Sequence, residues 1–214
     1  MAEIPGIILA GGLATRMGGG DKGLLPLGNS TVMSHVINRL APQVSALAIN
    51  ANGDPARFSD FGLPVLSDPI SGHPGPLAGV LAGLDWAASH GATKIATAAA
   101  DTPFLPLDLV DRLIEITADM ANPLALAATD RNAAEMYKSE TKSGLVRHPT
   151  FGIWPVSLRN DLRDNLCSGL RKVVLWTDRH GAREARFDMA INPFFNINTP
   201  EDLLRARGML EDAE

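Results

Sequence analysis

Three aliphatic residues, Ile7, Ile8 and Leu9, run into Gly11 and Gly12 and then into a glycine-rich stretch that closes only at Gly23. That transition constrains the chain more than any other feature. An apolar run of this kind reads as a buried strand, and glycines at its end let the loop turn backbone N–H groups toward one concavity. Without Cβ atoms, the loop also lets phosphate oxygens approach closely. Arg16 and Lys22 bring two fixed cations to the same loop. Neutral glycines with paired cations suit a triphosphate.

Two commoner phosphate motifs do not fit. Gly18-Gly19-Gly20-Asp21-Lys22-Gly23 matches G-x-G-x-x-G in letters, but that dinucleotide fingerprint must directly follow its strand and open a helix. Here the strand ends near Ala10, several residues too early, and Pro26 opposes a long helix starting in the glycines. A Walker A loop needs Gly-Lys-Ser/Thr, whereas Lys22 is flanked by Asp21 and Gly23.

Composition narrows the partners. With 214 residues, 45% of them hydrophobic, the chain can bury a substantial core as a single domain. A net charge of −5 argues against a general nucleic-acid or anionic-membrane surface, so any phosphate must be met by local cations. The single Cys167 excludes an internal disulfide framework and a cysteine-based metal cluster, which fits a reducing cytoplasm. No secretory pattern opens the sequence, and no stretch approaches the roughly 18 apolar residues of a membrane span.

Strand and helix signals alternate along the chain. Ile4 to Leu9 is the expected first strand, and Ser30 or Thr31 caps a helix with Val32, Val36, Ile37 and Leu40 inward, ended before Pro42. Strands follow at Val44 to Ile49, leading to Asn50-Ala51-Asn52-Gly53, and at Pro64 to Leu66, ending at Ser67-Asp68-Pro69. Gly75 and Pro76 open a helix carrying Leu77, Val80, Leu81 and Leu84 on one face. Lys94 to Ala99 is a fourth strand that delivers Asp101-Thr102-Pro103, and a helix is expected from Leu107 to Met120.

From Thr129 to Pro149 the pattern dissolves into a polar segment with Arg131, Lys138, Lys142 and Arg147, read as a flap, an insertion or a loop. Beyond it come a strand at Phe151 to Val156, helices at Leu158 to Leu166 and Gly169 to Trp176, and strands at Arg183 to Asp188 and Phe194 to Asn198. Thr199, Pro200 and Asp202 then form a capping box for the closing helix. This rhythm predicts an α/β fold, a Rossmann-like, mostly parallel sheet with helices on both faces, whose ligands bind at the carboxyl ends of the strands. Asp101 sits at such an end, placed for a divalent cation, though it could equally cap the helix after Pro103. Asp68-Pro69 could likewise simply start a turn.

The run Leu9-Ala10-Gly11-Gly12, with Arg16-Met17-Gly18-Gly19 and Asp21-Lys22-Gly23-Leu24, resembles the signature of nucleotidyltransferases, most closely the molybdenum cofactor guanylyltransferases (MobA family). Asp101-Thr102-Pro103, His148-Pro149-Thr150 and Asn196-Ile197-Asn198-Thr199-Pro200 extend the resemblance over nearly the whole chain. It implies transfer of GMP from GTP to the terminal phosphate of Mo-molybdopterin, with Mg²⁺ as cofactor and molybdoenzymes or their chaperones as further partners. The alternatives are a related cytidylyltransferase or sugar-nucleotide pyrophosphorylase, or a catalytically silent nucleotide-binding delivery partner.

On the guanylyltransferase reading, residues 1–103 form the GTP-binding part and 104–214 the acceptor side. Arg16, Lys22 and Asp101 carry catalysis, and Asp101 holds the metal. Leu9, Ala10, Gly11, Gly12, Lys22, Asn50, Asp68, Gly75 and Asp101 bind the nucleotide. Guanine presents N1–H and N2–H donors on one edge, which an acceptor at Asn50 or Asp68 can select. Asn196, Asn198 and His148 are assigned to molybdopterin. The two asparagines alternate with Ile197 on the expected strand and so share a face, although they could instead bond the cap region around Thr199.

Overall fold

The computed structural model describes residues 3–11, 21–72, 75–130, 145–188 and 192–211. The chain opens with β1 (Gly6–Leu9), whose four residues are all buried. A hairpin of β2 (Pro26–Leu27) and β3 (Ser30–Thr31) leads into α1 (Val32–Leu40), where the Thr31 hydroxyl accepts the Ser34 N–H at 3.1 Å as the N-cap. After β4 (Leu47–Asn50) and β5 (Val65–Leu66) comes α2 (Pro76–Ser89), followed by β6 (Lys94–Ala99) and α3 (Leu109–Ile116). The second half adds β7 (Ala125–Asp130), β8 (Leu145–Pro155), α4 (Arg159–Cys167), α5 (Val173–Arg179), β9 (Arg183–Arg186) and α6 (Pro200–Glu211).

Among the described residues, seven strands form one sheet in the order β5-β4-β1-β6-β8-β7-β9. Pairing is parallel except at β8, which runs antiparallel to both β6 and β7. The expected α/β architecture is therefore present, with one reversed strand. Both faces are covered, so the central strands read as continuous apolar runs. Ile8, Ile49 and Ala98 pack against Met33, Val36 and Leu40 of α1 and against Leu109 and Leu113 of α3. Ile7, Leu9 and Ala48 face the other way, onto Leu77, Val80 and Leu84 of α2 and the buried Leu162 and Trp176 of α4 and α5.

The first three parallel strands, β1, β4 and β5, have the order of a mononucleotide-binding half. The chain steps outward from β1 to β4 and β5, then crosses back to place β6 on the other side of β1. The strand order reverses there, which opens a crevice at the carboxyl ends. Register fixes what lines it. Leu9 stands beside Asn50 on one side and Ala99 on the other, so Gly11, Asn50 and Asp101 emerge at one edge.

Five expectations are corrected. β7 occupies residues read as unassigned or polar, and β8 is much longer than Phe151 to Val156. Phe194 to Asn198 is not a strand. The Ile197 N–H donates to the Asp101 carbonyl at 2.9 Å, so this segment straps the end of β6 and joins no ladder, while Ile197 and Phe195 bury against Leu27, Val32 and Ala206. The helix expected at 107–120 shrinks to α3, and the one expected at 169–176 is displaced to α5, Val173–Arg179.

Candidate active site

At the carboxyl edge of β4, the Asn50 amide is almost fully buried and donates to the Leu66 carbonyl at 3.1 Å and to Asp68 Oδ1 at 2.9 Å. Two residues on, Asn52 Nδ2 donates to Asp68 Oδ2 at 2.8 Å, and the Asp68 N–H donates back to Asn52 Oδ1 at 2.9 Å. Asp68 thus has one amide donor on each carboxylate oxygen. Each oxygen keeps acceptor capacity toward the cleft, because an ionised carboxylate offers about four lone-pair sites. Asn52 was not among the residues expected from sequence, since a second asparagine in a turn carries no signal of what it will hold.

A glycine of α2 makes room for this arrangement. A Cβ on Gly79 would stand 2.1 Å from Asn50 Oδ1 and 2.8 Å from Leu9 Cδ2. At the start of α2, Gly75 adopts φ +84°, Pro76 takes the first turn, and among the described residues no side chain caps the helix. The helix therefore turns backbone N–H groups and the positive end of its dipole toward the cleft.

Across the crevice stands Asp101. The Thr102 hydroxyl lies 3.3 Å from Asp101 Oδ1 and donates to Asn196 Oδ1 at 2.5 Å. Lys22 Nζ lies 3.7 Å from Asp101 Oδ2 and donates to Asn198 Oδ1 at 2.5 Å. Burial pushes the Asp101 carboxyl above its ordinary value, and the Lys22 ammonium only partly offsets that. A carboxylate poised this way gains most from a cation brought close. Gly23 lets the lysine approach, because a Cβ there would press on Met33 Cε at 2.8 Å and on the Ala100 carbonyl at 3.4 Å.

The cleft between these walls has a volume of about 260 Å³. Leu9, Gly11, Asn50, Asp68 and Gly75 line it together with Asp101, Thr150 and Asn196. A smaller adjoining hollow is lined by Ala10, Asp21, Lys22 and Gly23 and shares Leu9 and Asp101 with it. Among the described residues, no group of three acidic, histidine or cysteine side chains converges on a point. One carboxylate at a cleft fits an ion such as Mg²⁺, which takes most of its oxygen shell from substrate phosphates and water.

A family model described as the MobA-like NTP transferase domain matches residues 6–182. The chain belongs to the MobA-like NTP transferase family. A molybdenum cofactor guanylyltransferase of Mesorhizobium japonicum is 46% identical over 98% of this chain and 97% of its own, and one of a Bradyrhizobium species is 48% identical over 99% and 96%. The crystal structure of molybdopterin-guanine dinucleotide biosynthesis protein A from Archaeoglobus fulgidus superposes with a TM-score of 0.73, covering 98% of this chain and all of that one. At 20% identity, that likeness speaks to the fold.

In this MobA-like NTP transferase, the expected residues Leu9, Ala10, Gly11, Lys22, Asn50, Asp68, Gly75, Asp101 and Asn196 meet at the cleft or its adjoining hollow. Asn198 joins them through Lys22. With no strand at 194–198, the two asparagines do not share a sheet face, and Asn198 sits on the lysine expected to serve the phosphates. Asp101 caps no helix, since α3 begins only after Asp108. Gly12 and Arg16 lie outside the described residues, as does the greater part of the Thr129 to Pro149 segment. Arg147 of that segment lies on β8, bonded to Asp178 at 2.6 Å and Glu184 at 2.7 Å.

His148 is placed differently from its expected role on the acceptor. Its ring is buried, bonds Thr129 Oγ1 through Nε2 at 2.9 Å and stacks on Phe194 at 4.3 Å, and it is not among the cleft-lining residues. The cause is a bulge. Leu126 pairs with Gly152 but Ala127 pairs with His148, so Pro149, Thr150 and Phe151 are extra residues on β8. Bulges re-aim side chains. Here the motif's threonine reaches the cleft and its histidine goes into the core.

Proposed function

We propose that this protein transfers GMP from GTP to the terminal phosphate of Mo-molybdopterin, forming the guanine dinucleotide cofactor and pyrophosphate. The observation that carries this reading is the Asp68 carboxylate, held by Asn50 and Asn52 in a cleft that it shares with Asp101, beside the hollow that Lys22 lines. An acceptor pair suits the N1–H and N2–H edge of guanine, and adenine offers no such pair of donors there. The relatives named molybdenum cofactor guanylyltransferase support the same choice.

In the transfer, a terminal phosphate oxygen of the acceptor attacks the α-phosphorus of GTP, and the bond to the β-phosphate oxygen breaks as pyrophosphate leaves. Gly75 and the first turn of α2 present N–H groups toward the nucleotide. Lys22 places a point charge by the β- and γ-phosphates, where negative charge grows. Asp101 would hold Mg²⁺, which when bound neutralises charge on the phosphates. Thr102 orients both Asp101 and Asn196, and Asn196 and Thr150 face the acceptor from the second half of the chain. The acceptor phosphate is itself the nucleophile, so no activated serine or cysteine is needed.

We further read the role as cytoplasmic, with molybdoenzymes or their chaperones receiving the product; among the described residues, no helix is long and apolar enough to cross a membrane. Incubation with Mg²⁺, Mo-molybdopterin and each of the four nucleoside triphosphates, with the dinucleotide identified by mass, tests the assignment. The guanine product is expected to dominate, and equal turnover with CTP would refute it.

A further inference from the structure

Arg57 lines neither the base end of the cleft nor the hollow beside Lys22, yet it is bonded to both neighbourhoods. Its Nε donates to Asp21 Oδ2 at 2.6 Å, its Nη2 to the Asn52 carbonyl at 2.6 Å and its Nη1 to the Asp54 carbonyl at 2.6 Å. The guanidinium lies over the Phe58 ring, 4.6 Å from its centroid. All three nitrogens are committed, and the Asp21 carboxylate is largely shielded, with a side-chain exposure of 18%.

The partners matter more than the number of bonds. Asn52 is the residue that grips Asp68 from two sides. Asp21 directly precedes Lys22 and begins the 3-10 turn Lys22–Leu24, where the Leu24 N–H closes on the Asp21 carbonyl at 3.0 Å. A continuous chain of polar contacts therefore runs from Asp68 through Asn52, Arg57 and Asp21 to the turn that carries Lys22. An exposed ion pair serving stability alone contributes little and needs only one acceptor. This one has a fork locked onto two segments, Asp21 beside Lys22 on one side and Asn52 and Asp54 beyond β4 on the other.

We propose that Arg57 is a positioning residue for nucleotidyl transfer, one that fixes the spacing between the base-reading carboxylate and the phosphate-facing lysine. The inference rests on the reading of the cleft as a GTP site. A base seated on Asp68 then delivers its β- and γ-phosphates to Lys22, and a nucleotide that seats its base poorly does not. Lysine cannot replace the fork, because an ammonium on a flexible stem reaches Asp21 without also bracing two carbonyls.

The test compares kcat and KM for GTP and for inosine triphosphate, which lacks the 2-amino group, with Mo-molybdopterin as acceptor. The proteins are the wild type, Arg57→Ala, Arg57→Lys and Asp21→Asn. Arg57→Ala is expected to lower kcat for GTP and the preference for GTP over inosine triphosphate, each by about tenfold. Asp21→Asn should lower kcat and spare the preference, whereas Arg57→Lys should recover kcat but not the preference.

If Arg57→Ala stays within about twofold of wild type on both counts while circular dichroism shows it folded, the proposal is overturned. Should Arg57→Ala fail to fold, Asp21→Asn and Arg57→Lys decide: wild-type kcat in the first, or wild-type preference in the second, overturns the proposal. A wild type with no preference for GTP refutes the guanine reading itself and the inference with it, which separates that failure from a failure of Arg57 alone.

Discussion

Gly79 shows how narrow the tolerance around Asn50 is. An alanine in the middle of a helix ordinarily stabilises it by about 1 kcal/mol relative to glycine. At this position the added methyl would meet Asn50 Oδ1 at 2.1 Å. Gly79→Ala is therefore expected to lower the melting temperature and to weaken GTP binding about tenfold or more, because a displaced Asn50 releases Asp68. Calorimetric titration with GTP checks it, and an unchanged affinity would show that Asn50 does not govern the carboxylate. Asp101→Asn keeps the side-chain shape and removes the charge. Mg²⁺-dependent transfer should fall by at least about a hundredfold with the fold intact by circular dichroism. His148 makes a prediction in pH. Burial lowers its pKa from the ordinary 6.5 to about 3. A histidine kept neutral by the fold contributes its full stability above the unfolded-state value, and that contribution is lost as pH falls toward about 3. His148→Gln should flatten the decline in melting temperature between pH 6.5 and 3, whereas a slope equal to wild type would mean that other groups set it.

Among the elements, α6 and the strap before it form one device. The buried Asp202 carboxylate accepts the Asn198 and Thr199 N–H groups, both at 3.0 Å, while the Thr199 hydroxyl accepts the Asp202 N–H at 3.2 Å. Asp202→Ala should cost about 0.5 to 2 kcal/mol of stability, read by chemical denaturation. It should also lower kcat, since Asn198 would then hold Lys22 less firmly. This capping box was legible in sequence because its residues act on one another within four positions. The strands β1 and β6 were legible for a related reason, being apolar runs that end in glycine or aspartate. The segment Phe194 to Asn198 misled because Phe-Asn-Ile-Asn alternates as a strand does, while its backbone bond goes to Asp101, nearly a hundred residues away. β7 escaped notice because Ala125-Leu-Ala-Ala-Thr-Asp is built of small residues with little strand preference, which the sheet accepts because five of the six are buried. His148 followed its motif, and no local pattern announces the bulge that sends Thr150 to the cleft instead.

At the scale of the whole molecule, the two halves of the chain contribute to one crevice, so nucleotide binding should stabilise both together. GTP at about a hundred times its Kd should add about 2.7 kcal/mol to the unfolding free energy, in a single transition. ATP at the same concentration should add little, and a biphasic melt in which only one step moves would separate the halves. Among the described residues, the sheet that joins them ends in two unlike margins. β5 offers only two residues, and β9 offers Arg183-Glu184-Ala185-Arg186, with Arg183 bonded to Asp119 and Arg186 to Asp130 and Asp188. An open row of backbone groups invites a second chain to add a strand, and short or charged margins discourage it. Copies of this protein should therefore not polymerise through their sheets, even while folding at high concentration in a crowded cell. Replacing Arg183 and Arg186 by valine would turn one margin into a hydrophobic template, and the expected result is turbidity on mild heating, well before the loss of helical signal.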